Sequence, residues 1–300
     1  MSSPLIKKVL VIGAGGTVGT SAIKALLEER FLVTGLTRQS SKTTLPAGVR
    51  HVKTDYSEAS LLDAFKGQDA IVSTISPEGL PTQKLIIDAA IAAGVKVFLP
   101  SEYGVDTSIR SSPDVVPALG PKIETVDYLK SQQDKISWTV LITGSLFDWG
   151  LKIPSFGGWN IPARTVTIYD GGNIPYEATN LDQVGKAIAA SLKNSELSKN
   201  QYVYVNSFTI TQNEVLKAVE KATGEKFTVS QSTAEELWQD GAAKLKGGQK
   251  FGVLAMIASV FYGKGGLANY SVTRGLWNEK LDLPQENLDE CLKKYVAGNQ

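Results

Sequence analysis

The stretch Val9-Leu10-Val11-Ile12-Gly13-Ala14-Gly15-Gly16-Thr17-Val18-Gly19 limits what this chain can fold into more than any other. An apolar run of strand length meets four glycines within seven positions, and a helical pattern follows at once. From Thr17 on, Val18, Ala22, Ala25 and Leu26 fall on one face of a helix. Gly13, Gly16 and Gly19 stand in G-x-x-G-x-x-G spacing between that strand and that helix. Glycine lets the backbone turn tightly and come close to a pyrophosphate, whose charge the free N–H groups of the helix start can meet. A plain turn between strand and helix is the competing reading, and the position of the motif after the first strand weighs against it. On the cradle reading, Gly13, Gly15, Gly16, Thr17 and Val18 face the phosphates. Gly15 is one glycine more than the spacing needs.

Beyond this unit, short β-rich runs alternate with helical patterns through the first half, as in a parallel sheet covered on both faces. Strands are expected at 8–12, 31–37, 49–52, 70–75, 95–99 and 138–142. A helix is expected from about Thr82, with Leu85, Ile86, Ala89, Ala90 and Ala93 on one side and Gly94 as its stop. Leu61, Leu62 and Phe65 mark a shorter one. After Trp149 the texture changes: Pro154, Gly157, Gly158, Pro162, Gly171, Gly172 and Pro175 break the chain into loops and short strands such as 165–169. A helix returns at Thr211-Gln-Asn-Glu214, a capping box, and ends at Gly224. The expected fold class is α/β: a Rossmann-type doubly wound parallel sheet over residues 1–149, and a smaller α+β substrate-binding region over 150–300, intertwined with the first.

The end of the second strand bears on the choice of cofactor. Folds that bind NAD place Asp or Glu there, to accept bonds from the ribose hydroxyls. This chain reads Leu36-Thr37-Arg38-Gln39-Ser40-Ser41-Lys42, with no acid. Arg38 can stack on adenine and pair with a 2′-phosphate, helped by Ser40 and Lys42, so NADPH is favoured over NADH.

Composition removes other classes. Thirty-one Lys and Arg against thirty Asp and Glu give a net charge of +1, without the electrostatic footprint of a nucleic-acid or anionic-membrane binder. No apolar run approaches the roughly 20 residues of a membrane span, and the four apolar residues after Lys7-Lys8 are too few for a signal peptide. A single cysteine, Cys291, excludes an internal disulfide framework and fits a reducing, cytoplasmic setting. The only histidine, His51, lies in an expected strand and reads as structural. No spacing suits a metal, so none is expected. G-x-S-x-G, the phosphate-loop pattern ending in G-K-[ST], and Tyr-x-x-x-Lys are all absent. The Gly/Lys stretches 246–250 and 263–266 read as exposed turns. Trp149, Phe156, Trp159, Phe261 and Tyr262 can line an apolar pocket or simply pack.

One segment is far more specific. Phe98-Leu99-Pro100-Ser101-Glu102-Tyr103-Gly104 closely resembles the FxPSEFG segment of the isoflavone reductase-like, or NmrA-like, family of atypical short-chain dehydrogenases. Thr37-Arg38, Thr54-Asp55-Tyr56, the run from Asp69 to Ser76 and Asn180-Leu-Asp182-Gln-Val-Gly185 add weaker likenesses. The resemblance spans most of the chain and is strongest over 9–147. It implies an NADPH-dependent reductase. It places Ser101, Glu102 and Tyr103 beside the nicotinamide, and Thr37, Arg38, Lys42, Asp55, Tyr56, Ser73, Thr74 and Ile75 along the cofactor. Gly144 and Phe147, past the sixth strand, complete that set, and Tyr103, Phe147 and Trp149 are the candidate substrate contacts. The family has one catalytic lysine some twenty residues past PSEFG, a position matched here by Lys122. A partly desolvated lysine can act as general acid or base, or Lys122 can contact only the nicotinamide ribose. Glu124 and Asp127 follow it where the plant reductases tend to carry basic residues, and Pro121 precedes it, which leaves Lys130 as a second candidate.

The expected activity is hydride transfer from NADPH to a small apolar, aromatic or conjugated molecule, at C=C, C=O, C=N or a benzylic carbon, by a monomer or homodimer. The alternative is a dinucleotide-sensing regulator with a protein partner and no turnover.

Overall fold

The computed structural model describes residues 6–298 other than Gly266. Its centre is a sheet of seven parallel strands: β1 (Lys8–Ile12), β2 (Leu32–Arg38), β3 (Arg50–Thr54), β4 (Ala70–Ser73), β5 (Val97–Leu99), β6 (Ser137–Ile142) and β7 (Gln201–Tyr204). Their order across the sheet is β7-β6-β5-β4-β1-β2-β3. The direction of winding reverses between β1 and β4, and ligands of such sheets bind in the crevice beyond the strand ends at that reversal.

The inner strands β1, β4 and β5 are buried on both faces, which is why they read as nearly unbroken apolar runs, while the edge strand β3 is largely exposed. In β1, Val9 and Val11 enter one core, while Leu10 and Ile12 enter the other. The first core is closed by α1 (Thr17–Glu28) and α5 (Leu181–Lys193), which contribute Ala22, Leu26, Val184 and Ile188. The second is closed by α2 (Glu58–Phe65), α3 (Gln83–Ala92) and α4 (Gly120–Ser131), through Leu61, Phe65, Ile86, Ile87, Val126 and Leu129. Asp182 at the start of α5 pairs with Lys24 of α1 at 2.8 Å.

A third core lies in the second half of the chain and is largely aromatic. Two three-stranded sheets frame it, one pairing 145–146, 176–179 and 208–210, the other 159–160, 165–169 and 228–232. Helices α6 (Gln212–Thr223), α7 (Ala234–Lys246), α8 (Gly252–Tyr262) and α9 (Leu288–Ala297) pack around them. Phe156, Trp159, Phe261 and Tyr262 are at most 5% exposed. Tyr262 stacks on Tyr169 and meets Tyr176 edge-on. Of the two readings of these aromatics, packing is the one their burial favours. Trp149 alone of the group is only half-buried, its ring 5.5 Å from that of Phe156.

Several elements differ from expectation. The main sheet takes its seventh strand and the helix α5 from beyond residue 150, so the chain leaves the sheet and returns to it. The strands expected at 70–75 and 95–99 are shorter, because Thr74 and Ile75 already turn across the sheet edge and Val95 closes α3 by donating to Ala90. A 3-10 turn, Pro77–Thr82, precedes α3. On α3 itself the buried face carries Gln83, Ile86, Ile87, Ala89 and Ala90, while Leu85 is turned outward. His51 is exposed on the edge strand β3, its ring nitrogen 2.7 Å from Thr37 Oγ1. Of the stretch 246–250, Lys246 ends α7 and 247–250 form exposed turns, and Gly266 of the second Gly/Lys stretch lies outside the described residues.

Candidate active site

The strand ends β1, β4 and β5 converge at the sheet reversal, and each is tied to the next. Gly13 leaves β1 with φ +76°, and a Cβ there would lie 2.5 Å from the carbonyl oxygen of Thr74. Thr74 in turn donates from Oγ1 to the Ile12 carbonyl at 2.7 Å. Gly15, the surplus glycine, is explained by a neighbour far along the chain. Thr43 of the loop after β2 folds down on it, and a Cβ at Gly15 would stand 2.5 Å from the Thr43 methyl. Gly15, Gly16 and Thr17 are exposed, the first turn of α1 has neither a side-chain cap nor an acid, and its backbone donors are free for an anion.

The side beyond β2 is cationic. Arg38 and Lys42 are exposed at the strand end and in the following loop. An open recess of about 420 Å³ beside them is lined by Ser41, Lys42, Thr43, Thr44, Leu45, Val49, His51 and Lys53, without an acid. Tyr56, half-buried with φ +63°, lies close enough to Arg38 to feel its charge, and burial pushes its phenol upward. Asp55 is exposed and accepts the Ser57 N–H at 2.9 Å, which holds its carboxyl below the usual range. It shapes the turn into α2. Thr37 is buried against His51, and Ser73 is fully buried with a hydroxyl that has no partner among the described residues. An uncapped glycine cradle with a cation-rich flank fits a dinucleotide phosphate better than a free ribose diol, so the residues present suit NADPH.

The FLPSEYG segment follows β5. Ser101 donates from Oγ to the Ile75 carbonyl at 2.8 Å, and its N–H donates to Gln83 Oε1 at 3.0 Å. Glu102 is 2% exposed, with one carboxyl oxygen accepting from Thr107 Oγ1 at 2.8 Å and the other without a partner among the described residues. Tyr103 takes φ +40°, packs in the α1–α5 core and donates its N–H to Leu141 at 3.1 Å; its buried hydroxyl has no partner among the described residues either. Gly144 donates to the Gly104 carbonyl at 3.0 Å, which pins this segment to the end of β6. Phe147 is buried, edge-on to Phe208 at 5.3 Å.

Lys122 lies in the first turn of α4 and donates from Nζ to the Glu102 carbonyl. Burial lowers its proton affinity, and the Glu102 charge partly opposes that. Burial raises the Glu102 carboxyl, with Lys122 and the Thr107 bond opposing. Lys130, the second candidate, is exposed on the outer side of α4, its ammonium 5.2 Å from the Tyr202 ring centre. The structure thus brings Ser101, Glu102 and Lys122 together and leaves Lys130 apart. Among the described residues no group of three or more His, Cys, Asp or Glu is placed to hold a metal, and no helix is long and apolar enough to cross a membrane.

Sequence reasoning missed the residues that hold this corner. Asp106, 1% exposed, accepts from the Tyr204 hydroxyl at 3.3 Å and lies 3.5 Å from the guanidinium of Arg274. Trp238 of α7 donates to the Val115 carbonyl at 2.6 Å, closing the second region onto the loop before α4. Gln83 carried a legible signal: an amide in register with Ile87 and Ala90 on an apolar helix face.

Known proteins share this fold. The NmrA-like family profile matches residues 6–281. The oxidoreductase aprR of Aspergillus flavus is 35% identical over 97% of this chain and 99% of its own. The oxidoreductase poxI of Penicillium oxalicum is 30% identical over 98% and 95%. Among solved structures, AtPrR2 with NADP+ and (+)pinoresinol superposes with a TM-score of 0.79 at 25% identity, covering 98% of this chain and 100% of that one. The leucoanthocyanidin reductase–NADPH complex of Vitis vinifera gives 0.80 at 20% identity over 96% and 99%, a likeness of fold. With the glycine cradle, the acid-free end of β2 and the PSEY segment all in place, the chain belongs to the NmrA-like family and stands among its oxidoreductases.

Proposed function

We propose that this chain is an NADPH-dependent reductase of a small apolar molecule with aromatic or conjugated character, in which Lys122 moves the proton. The observation that carries this reading is the Lys122 amine, desolvated and held on the Glu102 carbonyl at the end of β5. The cofactor, when bound, supplies the hydride. The residues from Gly13 to Val18 hold its pyrophosphate, and Arg38 with Lys42 holds the 2′-phosphate. Ser101 and Glu102 give the nicotinamide end a rigid wall, because each is bonded to a different strand end or loop.

Lys122 enters the reaction with a proton at Nζ and gives it to the oxygen or nitrogen that gains negative charge as hydride arrives on carbon. Its lowered proton affinity makes it a better donor near neutral pH than an exposed lysine. An aromatic substrate is supported by the relatives, since the AtPrR2 structure holds (+)pinoresinol. Trp149, half-buried at the rim of the aromatic core, and Phe147, buried edge-on to Phe208, are the side chains to test for substrate contact. A sensor without turnover has no use for a desolvated proton donor, which disfavours that reading.

The test is a panel of enones, quinones, aromatic carbonyls, imines and benzylic ethers including (+)-pinoresinol, followed at the NADPH absorbance band. Consumption of NADPH with at least one class supports the reading. Tight NADPH binding with no consumption across all classes overturns it in favour of the sensor.

A further inference from the structure

We infer that Gln83 is a positioning residue for Lys122, acting through a closed ring of hydrogen bonds that joins α3, the segment after β5 and the first turn of α4. The inference rests on the reading of Lys122 as the proton-moving group.

Gln83 is completely buried, at the first position of α3, on a face otherwise filled by Ile86, Ile87, Ala89 and Ala90. A leucine would continue that face. A buried amide is tolerated only when both its ends are paired, and both are. Oε1 accepts the Ser101 N–H at 3.0 Å, and Nε2 donates to Thr125 Oγ1 at 3.2 Å. Thr125 Oγ1 then donates to the Pro121 carbonyl at 2.8 Å, one residue before Lys122. Lys122 Nζ reaches the Glu102 carbonyl, one residue after Ser101. The circuit runs Gln83, Ser101, Glu102, Lys122, Pro121, Thr125 and back to Gln83. Each leg is a hydrogen bond or a peptide link.

This ring fixes the one distance the chemistry depends on, that between the end of β5 and the lysine-bearing turn. The start of α4 has no side-chain cap of its own, and Val126 and Leu129 in the core and the Arg110–Asp127 pair anchor the helix beyond its first turn. Without the amide, Ser101 loses its buried acceptor, and the Lys122 ammonium can swing from the Glu102 carbonyl toward water. Glu102 is the charged group that faces Lys122; the Asp106 charge acts on Glu102, and the Glu102 charge in turn raises the Tyr103 and Tyr202 phenols. Release into water removes the desolvation that lowers the lysine, so its titration midpoint must rise.

Trace acetylation with acetic anhydride, read at Lys122 by peptide mass spectrometry across a pH series, measures that midpoint on the full chain and needs no substrate. Gln83→Leu is expected to raise the midpoint by about one pH unit, by relief of desolvation. Thr125→Val, a smaller change for use if Gln83→Leu does not fold, is expected to raise it in the same direction. Gln83→Glu, whose protonated carboxyl can both accept from Ser101 and donate to Thr125, is expected to match the parent labelling rate at low pH and depart from it as that carboxyl ionises. An unchanged midpoint in folded Gln83→Leu and Thr125→Val, with only a lower melting temperature, would make Gln83 a core residue and overturn the inference. The reading of Lys122 fails on a separate result, full turnover by Lys122→Ala, so the two failures are distinguishable.

Discussion

At the scale of single residues, charge and burial settle what each side chain can do. Arg38 stands where an acid would select NADH, and a guanidinium–phosphate pair contributes about 1.5–3 kcal/mol. Arg38→Ala is therefore expected to weaken NADPH binding about 10–100-fold and leave NADH within about twofold, as calorimetric titration with each cofactor would show. Equal losses for both would mean that Arg38 touches no 2′-phosphate. Glu102 gives a pH prediction. Its charge raises the proton affinity of Lys122 against the lowering caused by burial. Removing that charge must let the lysine fall further, so in Glu102→Gln the alkaline limb of the kcat profile moves to lower pH. A limb that moves to higher pH, or not at all, would mean that Lys122 is not the group titrating. The sequence held most of this corner: the glycine spacing, the missing acid at Arg38, and PSEY with a lysine some twenty residues on. What it hid were partners distant in sequence, such as Thr43 against Gly15 and the Ser101 and Thr125 partners of Gln83. A hydrogen bond across dozens of residues leaves no spacing to read.

Among the elements, legibility followed the range of the forces. The helix α6 was readable because its start is local: Thr211 accepts the Glu214 N–H at 3.2 Å, and Glu214 returns a bond to the Thr211 N–H at 2.8 Å. Thr211→Ala is expected to cost about 1 kcal/mol and Thr211→Asp much less, measured from urea midpoints; a loss from Thr211→Asp as large as that from Thr211→Ala would mean that the cap contributes nothing. The strand β7 was not readable. It has four residues, lies at the sheet edge, and owes its place to β6, some sixty residues earlier. Leu85 was assigned to the wrong side of α3 because a run of apolar residues there satisfies more than one face. The core selected the face carrying Gln83, which a count of apolar residues would reject.

The whole molecule brings these parts to one edge. Seven parallel strands in the order β7-β6-β5-β4-β1-β2-β3 put the glycine cradle, the end of β4 and the PSEY segment around the reversal of the sheet, and Trp238 and Arg274 tie the second region to Val115 and Asp106 of the segment that follows PSEY. A ligand that binds this edge stabilises the folded chain by mass action, about 2.7 kcal/mol at a hundred times its Kd. NADPH is accordingly expected to raise the melting temperature more than an equal concentration of NADH; an equal rise would count against the cationic flank. The account stands or falls on Lys122. Lys122→Ala should keep its NADPH-induced rise in melting temperature and lose about 10²–10⁴ of its turnover on whichever panel substrate the parent reduces. Turnover within a few-fold of the parent, with NADPH still bound, would contradict it.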